Sequence, residues 1–297
     1  MAAVTATLPR SRPFAVAPGV TLAGYDWTAP GADGRAFVLV HGLASNARLW
    51  DGVARRLADA GHPVLAIDQR GHGRSDKPDD GYDMTTVAAD LAAVIGAWGH
   101  ERPVAVGQSW GGNVVVELAA AHPGATAGVA CVDGGFIDLV GKFPVWEDCA
   151  KALAPPALVG MALTRIEGGM RATHPDWPAE GLAGALANFE VRADGTIAPW
   201  LTRERHMLVL RGMWEHRPRE RLAALVEPVL WLPADSGDVA WTGDKRAALD
   251  EIGRHVARSR TVWFSPADHD VHAQHPDRVA AVLHDATIDG FFAPSAP

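Results

Sequence analysis

The run Val104-Ala105-Val106-Gly107-Gln108-Ser109-Trp110-Gly111 constrains this chain more than any other segment. Short β-formers lead into G-x-S-x-G, and a Val-, Leu- and Ala-rich stretch with helical patterning follows. That order predicts a strand, a tight turn and a helix, with Ser109 at the apex. The turn is so sharp that side chains two residues either side of the serine would collide, so glycines stand there. Ser109 then precedes a helix N-terminus, where free N–H groups and the dipole favour developing negative charge. By itself G-x-S-x-G arises by chance in roughly a tenth of chains of this length. Its flanks and its distant partners give it weight.

The surroundings predict an α/β fold with a mostly parallel central sheet. Short apolar runs at 37–40, 63–67, 103–106, 129–132, 229–232 and 261–264 alternate with amphipathic helical stretches at 49–60 and 85–98. Such alternation places helices on both faces of the sheet. Residues 21–36 are expected to form a leading hairpin around the turn-like Pro30-Gly31-Ala32-Asp33-Gly34. The rhythm breaks between Phe136 and Val226, a segment with seven prolines and the tryptophans Trp146, Trp177, Trp200 and Trp214. Helices are expected there near 181–189 and 202–214. The chain therefore divides into a core of residues 20–135 and 227–290 and a helical cap of residues 136–226. The cap is expected over the carboxyl edge of the sheet, where open α/β sheets bind ligands.

Composition narrows the function classes. The formal charge is −8, which argues against a nucleic-acid or anionic-membrane partner. No 18-residue apolar stretch occurs, and the start lacks a signal-peptide core, so a cytoplasmic location is expected. Lysine stands only at positions 77, 142, 151 and 245; with abundant Ala and Gly this suggests a GC-rich bacterial source. The two cysteines, Cys131 and Cys149, form no metal or disulfide framework, and Cys131 in an apolar run is expected to be a core thiol. No metal-ligand cluster is apparent. The final Phe-Phe-Ala-Pro-Ser-Ala-Pro reads as a frayed end on which Phe291 and Phe292 could dock.

Three further segments supply what a serine nucleophile needs. The strand ending in His41-Gly42-Leu43 places a loop backbone beside the turn, so the N–H groups of Leu43 and Trp110 are expected to hold an oxyanion. His41 itself reads as a loop-orienting residue that bonds backbone. Near the end, Asp268-His269-Asp270-Val271-His272 follows the last strand. His269, nearest the strand end, is expected to be the general base, with His272 second. The acid that fixes the imidazole tautomer is expected after the strand at 229–232, in the chain order Ser…Asp…His. Asp238 is the first choice and Asp235 the second. Asp133 is a third carboxylate in reach, though Val132-Asp133-Gly134-Gly135 reads first as a turn.

With these residues, the chain resembles the α/β-hydrolase family, in its cap-bearing, esterase-like branch. The likeness runs from about residue 20 to 285 and includes Asp68-Gln69-Arg70-Gly71-His72-Gly73-Arg74-Ser75, similar to that family's D-x-R-G-x-G-x-S loop. One departure is that Ala234 replaces the Gly of the family's G-x-x-D, and Asp238 falls one residue late. The resemblance implies no cofactor. It also disfavours dehalogenase and epoxide-hydrolase chemistry, because those relatives carry Asp where Ser109 stands. The leading expectation is hydrolysis of a small-molecule carboxylic ester or lactone through an acyl-enzyme. Alternatives on the same site are a C–C bond hydrolase for diketone-type substrates and a cofactor-free perhydrolase or haloperoxidase-like enzyme. A receptor built on the fold has no need of all three reactive residues. Met207, Met213 and Trp214, on one stripe of the predicted 202–214 helix, are the candidate substrate-binding residues, with the cap's own core as their other reading.

Overall fold

A computed structural model describes residues 8–293. In chain order its core begins with β1 (Arg10–Ala17), β2 (Val20–Asp26), β3 (Phe37–Val40), a 3-10 turn (Ala47–Trp50), α1 (Asp51–Asp59), β4 (Val64–Ile67), α2 (Met84–Trp98), β5 (Val104–Gln108), α3 (Trp110–Ala121) and β6 (Gly128–Val132). An insertion follows: α4 (Leu139–Lys142), α5 (Trp146–Ala152), α6 (Leu163–Thr173), α7 (Ala179–Leu186), the β7–β8 hairpin (Phe189–Val191, Ile197–Pro199), α8 (Arg203–Glu215) and α9 (Pro218–Leu222). The core resumes with β9 (Val229–Leu232), α10 (Val239–Ile252), β10 (Ser259–Thr261), α11 (Val271–Gln274) and α12 (Pro276–Ile288).

The eight-stranded sheet runs β1-β2-β4-β3-β5-β6-β9-β10, parallel from β4 to β10, with β1 and β2 antiparallel at one edge. The leading hairpin is therefore β1–β2, turning at Pro18-Gly19, and not the segment around residues 30–34. Gly19 at φ +73° makes that tight turn, whereas residues 27–36 simply cross to β3. This places the start of the sheet at Arg10, ahead of the expected boundary at residue 20.

Side-chain alternation sorts the strands onto two cores. Val38, Val40, Leu65 and Ile67 face the cluster formed with α2 and α3, while Phe37, Leu39, Val64 and Ala66 face α1 and α12. With both faces covered, the inner strands β3, β4, β5, β6 and β9 are buried along their whole length. α2 shows how sequence dictates a boundary. Asp83 caps its start by accepting from Thr86 N–H at 2.9 Å, and Gly99 at φ +89° ends it. Val87, Leu91, Val94 and Trp98 between them lie on the buried face.

Of the tail expected to be frayed, Phe291 and Phe292 are docked, in edge-to-face contact and buried in the second core; residues 294–297 of that tail lie outside the described residues, as do residues 1–7 of the expected non-signal start. Cys131 is buried, and burial pushes its thiol up. Among the described residues no helix is long and apolar enough to cross a membrane.

Candidate active site

The chain leaves β3 for β4 on one side and later enters β5 on the other. This makes the gap between the ends of β3 and β5 a topological switch point. Val40 pairs with Gly107 there, so the Gly42-Leu43 loop and the Ser109 turn emerge side by side. Ser109 holds φ +53°, a region that L-residues adopt only under constraint. The constraint is local: its N–H donates to Val132 O at 2.9 Å, and its carbonyl accepts from Gly112 N–H at 2.9 Å. A Cβ at Gly107 would lie 2.0 Å from Gly111 O, and one at Gly111 would lie 2.5 Å from the His41 and Val40 carbonyls. The steric job expected of the two glycines is therefore explicit. Trp110 opens α3, so its N–H precedes the intrahelical ladder.

His41 ties the two loops together. Its Nδ1 donates to Gly42 O at 2.7 Å, which leaves Nε2 to accept from Gln69 N–H at 3.0 Å. That pattern requires the neutral ring, and burial pulls its pKa down to about 4. Asp68 of the D-x-R-G-x-G-x-S loop accepts from Ala47 and Arg74 N–H groups at 2.8 Å each, and Arg70 forks onto Asp90 at 2.5 and 2.7 Å. These motif residues hold loops in place.

His269 and Ser109 line one cavity of about 230 Å³ at this edge, with Leu43, Gln108 and Asp270. The carboxylate that meets His269 is Asp133, whose Oδ2 lies 2.6 Å from the imidazole Nδ1. Asp238, the first choice from sequence, is not that partner. It lies on an exposed stretch six residues beyond the end of β9, where its carbonyl accepts from Thr242 N–H. Asp235 is turned to other work, accepting from Gly237 N–H at 3.0 Å and Thr242 Oγ1 at 2.9 Å. Asp133 directly follows the last residue of β6, the neighbour of β5, and is 3% exposed. Its φ of +42° marks a constrained residue where the sequence suggested an ordinary turn. A carboxylate directly after a buried strand that flanks the elbow strand was the available signal.

Three donor groups make four contacts with Asp133: His269 Nδ1, Lys245 Nζ at 2.6 and 2.8 Å, and Ala234 N–H at 3.0 Å. Burial favours the neutral acid, but the His269 hydrogen bond and the His269 and Lys245 charges hold its pKa below the usual value. For His269, burial opposes the charged ring, yet the hydrogen bond and charge of Asp133, with Asp270 adding to them, leave the pKa raised. His272 is completely buried against Trp50, with ring centroids 4.2 Å apart, and burial pulls its pKa to about 3. It does not line the cavity.

The insertion supplies the opposite wall through Met170, His174, Trp177, Leu182, Ala185 and Asn188. These come from α6, α7 and their connections, which are fastened to the core. His174 Nδ1 and Trp177 Nε1 each lie 2.9 Å from Asp268 Oδ2, and Asn46 Nδ2 donates to Gly184 O at 2.9 Å. The α8 stripe lies elsewhere, contrary to expectation. Met213 is buried in the first core with Val209 and Leu210, Met207 packs against that core, and Trp214 Nε1 donates to Phe143 O at 2.7 Å. Gly212 lets α8 approach the Tyr82 backbone closely, so the helix seats on the core beside α2 and its apolar stripe is consumed there. Among the described residues no cluster of three or more His, Cys, Asp or Glu is placed to hold a metal.

A family profile described as the alpha/beta hydrolase fold matches residues 35–156. A 2-(acetamidomethylene)succinate hydrolase of Mesorhizobium japonicum is 35% identical over 249 residues, 82% of this chain and 84% of that protein. A non-heme chloroperoxidase of Streptomyces lividans is 43% identical over 96 residues, but that match spans only 32% of this chain and 35% of the relative. Among solved structures, an E-2-(acetamidomethylene)succinate hydrolase superposes with a TM-score of 0.73 at 22% identity, covering 95% of this chain and 99% of the other, a likeness of fold. With a relative of this identity matched over most of both chains, and with the sheet order and elbow described above, the chain belongs to the alpha/beta hydrolase family.

Proposed function

We propose that the protein is a serine hydrolase that cleaves a small carboxylic ester or lactone through an acyl-enzyme, with Ser109 as nucleophile, His269 as base and Asp133 as acid. The observation that carries this reading is the 2.6 Å contact of His269 Nδ1 with a buried carboxylate, on a histidine that shares a cavity with the elbow serine. Asp133 holds the ring as the Nδ1–H tautomer, which leaves Nε2 able to take a proton. Ser109 Oγ attacks the carbonyl carbon as its proton passes to Nε2. The Leu43 and Trp110 N–H groups receive the oxyanion. The imidazolium returns that proton to the leaving oxygen, and the same ring then activates water to release the acid.

In this reading residues 136–226 act as the cap that sets specificity. The cavity of about 230 Å³ is small beside drug-sized pockets, which favours a short acyl or alcohol part. Leu43, Leu49, Met170, Trp177 and Leu182 give it apolar walls, and Asp270 adds a carboxyl whose pKa burial pushes up. A compact neutral substrate suits this lining better than a dianionic one.

The test is covalent labelling by a fluorophosphonate, mapped by mass spectrometry. Ser109 is expected to carry the label, and Ser109→Ala to abolish it with a loss on the order of 10⁶ in kcat. Label on another residue, or normal turnover by the alanine variant, sinks the assignment. A parallel panel of graded p-nitrophenyl esters, lactones and a diketone C–C substrate ranks the reactions. Faster turnover of the C–C substrate than of any ester moves the reading to that class.

A further inference from the structure

Lys245 is one of four lysines in the chain, and it is 7% exposed. It reaches from α10 to the end of β6, where its ammonium lies 2.6 and 2.8 Å from the two oxygens of Asp133 and 2.9 Å from Ala234 O. Three oxygens thereby lie within hydrogen-bond distance of the ammonium. Nothing in the serine mechanism calls for a cation behind the acid, and burying one is costly unless it is paired.

We propose that Lys245 is a positioning residue of the hydrolytic site: its ammonium fixes the Asp133 carboxylate for His269 and offsets part of that carboxylate's charge. The inference rests on the triad proposed above. With the carboxylate shared between a lysine and an imidazole, its pull on the ring proton is weaker than that of an acid held by neutral donors alone. His269 therefore deprotonates at a lower pH than it would without Lys245. The charged and titratable groups around His269 are consistent with this balance. Asp133 directly follows β6 and Lys245 comes from α10; Asp268, Asp270 and His272 come from its own loop and the following turn, and His174 caps the end of α6. Among them, Asp133 and Asp270 stabilise the imidazolium and Lys245 opposes it. The carboxylate of Asp268 is engaged by His174 and Trp177.

The rate of fluorophosphonate labelling at Ser109, measured against pH, reads the neutral fraction of His269 without a known substrate. In Lys245→Gln, which removes the charge, the midpoint of the acidic limb is expected to rise by roughly 0.5–1 pH. Labelling on that limb then falls about three- to tenfold. Lys245→Arg, which keeps the charge, is expected to hold the wild-type midpoint. An unmoved midpoint in Lys245→Gln, or equal movement in both variants, overturns the proposal. Lys245→Met in the Asp133→Asn background covers the case in which Lys245→Gln does not fold, because that pair leaves no unpaired ion. Relative to Asp133→Asn alone it is expected to change labelling by less than about twofold, since Lys245 acts through the carboxylate. A further three- to tenfold loss there would show an independent role and overturn the inference. Normal labelling by Asp133→Asn removes the acid itself and takes both readings down, whereas failure of Lys245 alone leaves the triad standing.

Discussion

β6 and β9 are adjacent parallel strands, Val132 beside Leu232, and each leads into a loop with an acidic residue. Asp133 is the first residue beyond β6, so its backbone is still set by the sheet: its N–H donates to Leu232 O at 3.0 Å. Its side chain has no route but over the strand end. Asp238 is six residues beyond β9, after Pro233, Ala234, Asp235, Ser236 and Gly237, and it stands exposed at the approach to α10. A strand end delivers a side chain to a fixed point, whereas a loop of that length delivers it wherever its own turn bonds dictate. Here those bonds are spent on Asp235, Gly237 and Thr242. The contribution of the β9 side to Asp133 is instead a backbone N–H from Ala234 and, in the second turn of α10, the Lys245 ammonium.

The sharpest way to break this comparison is to neutralise both carboxylates in turn. Asp133→Asn is expected to lower kcat on an ester by roughly 10⁴, because the amide no longer selects the productive tautomer. Asp238→Asn is expected to stay within about twofold, as an exposed loop change. Steady-state kinetics on both variants decides it, and the reverse order of losses would return the acid to the β9 loop.

Two of the insertion's four methionines, Met213 and Met170, make a second contrast. Met213 lies in the core and Met170 on the cavity wall. Met213→Ala is expected to cost about 2–5 kcal/mol of stability with an unchanged ester profile. Met170→Ala is expected to alter kcat/KM between short and long acyl esters by about tenfold with a smaller change in Tm. Calorimetry beside a graded ester series separates the two, and a profile change in Met213→Ala alone would put α8 back on the pocket.

The smallest expected effect concerns pH. The Asp133 contact leaves the His269 pKa above its ordinary value, and in the proposed mechanism only the neutral ring accepts the Ser109 proton. Activity is therefore present above that pKa and lost as pH falls through it, with a midpoint in kcat/KM above about 6.5. A midpoint well below that value would mean that Asp133 does not stabilise the imidazolium in the working enzyme.

The sequence by itself determined the sharp turn at Ser109, the sheet and the two-sided burial. Gly107 and Gly111 are forced by contacts within a few residues and with the neighbouring strand end, and the strand–helix alternation follows from local hydrophobic period. His269 was legible because it follows the last strand within a short segment, and His41 because a His-Gly at a strand end has few other uses. The carboxylate that meets His269, the cavity wall and the lysine behind that carboxylate were decided only by the tertiary structure. Asp133 looks like a turn residue until β6 is seen to lie between β5 and β9, and Lys245 is 112 residues from its partner. Met170, His174 and Trp177 reach the cavity because Asp268 and Asn46 fasten α6 and α7 over it, while the more regular stripe of α8 is spent on the core. Local patterning fixes which face of an element is apolar; which neighbour that face meets is set by long-range packing, and the specificity and electrostatics of this site depend on that choice.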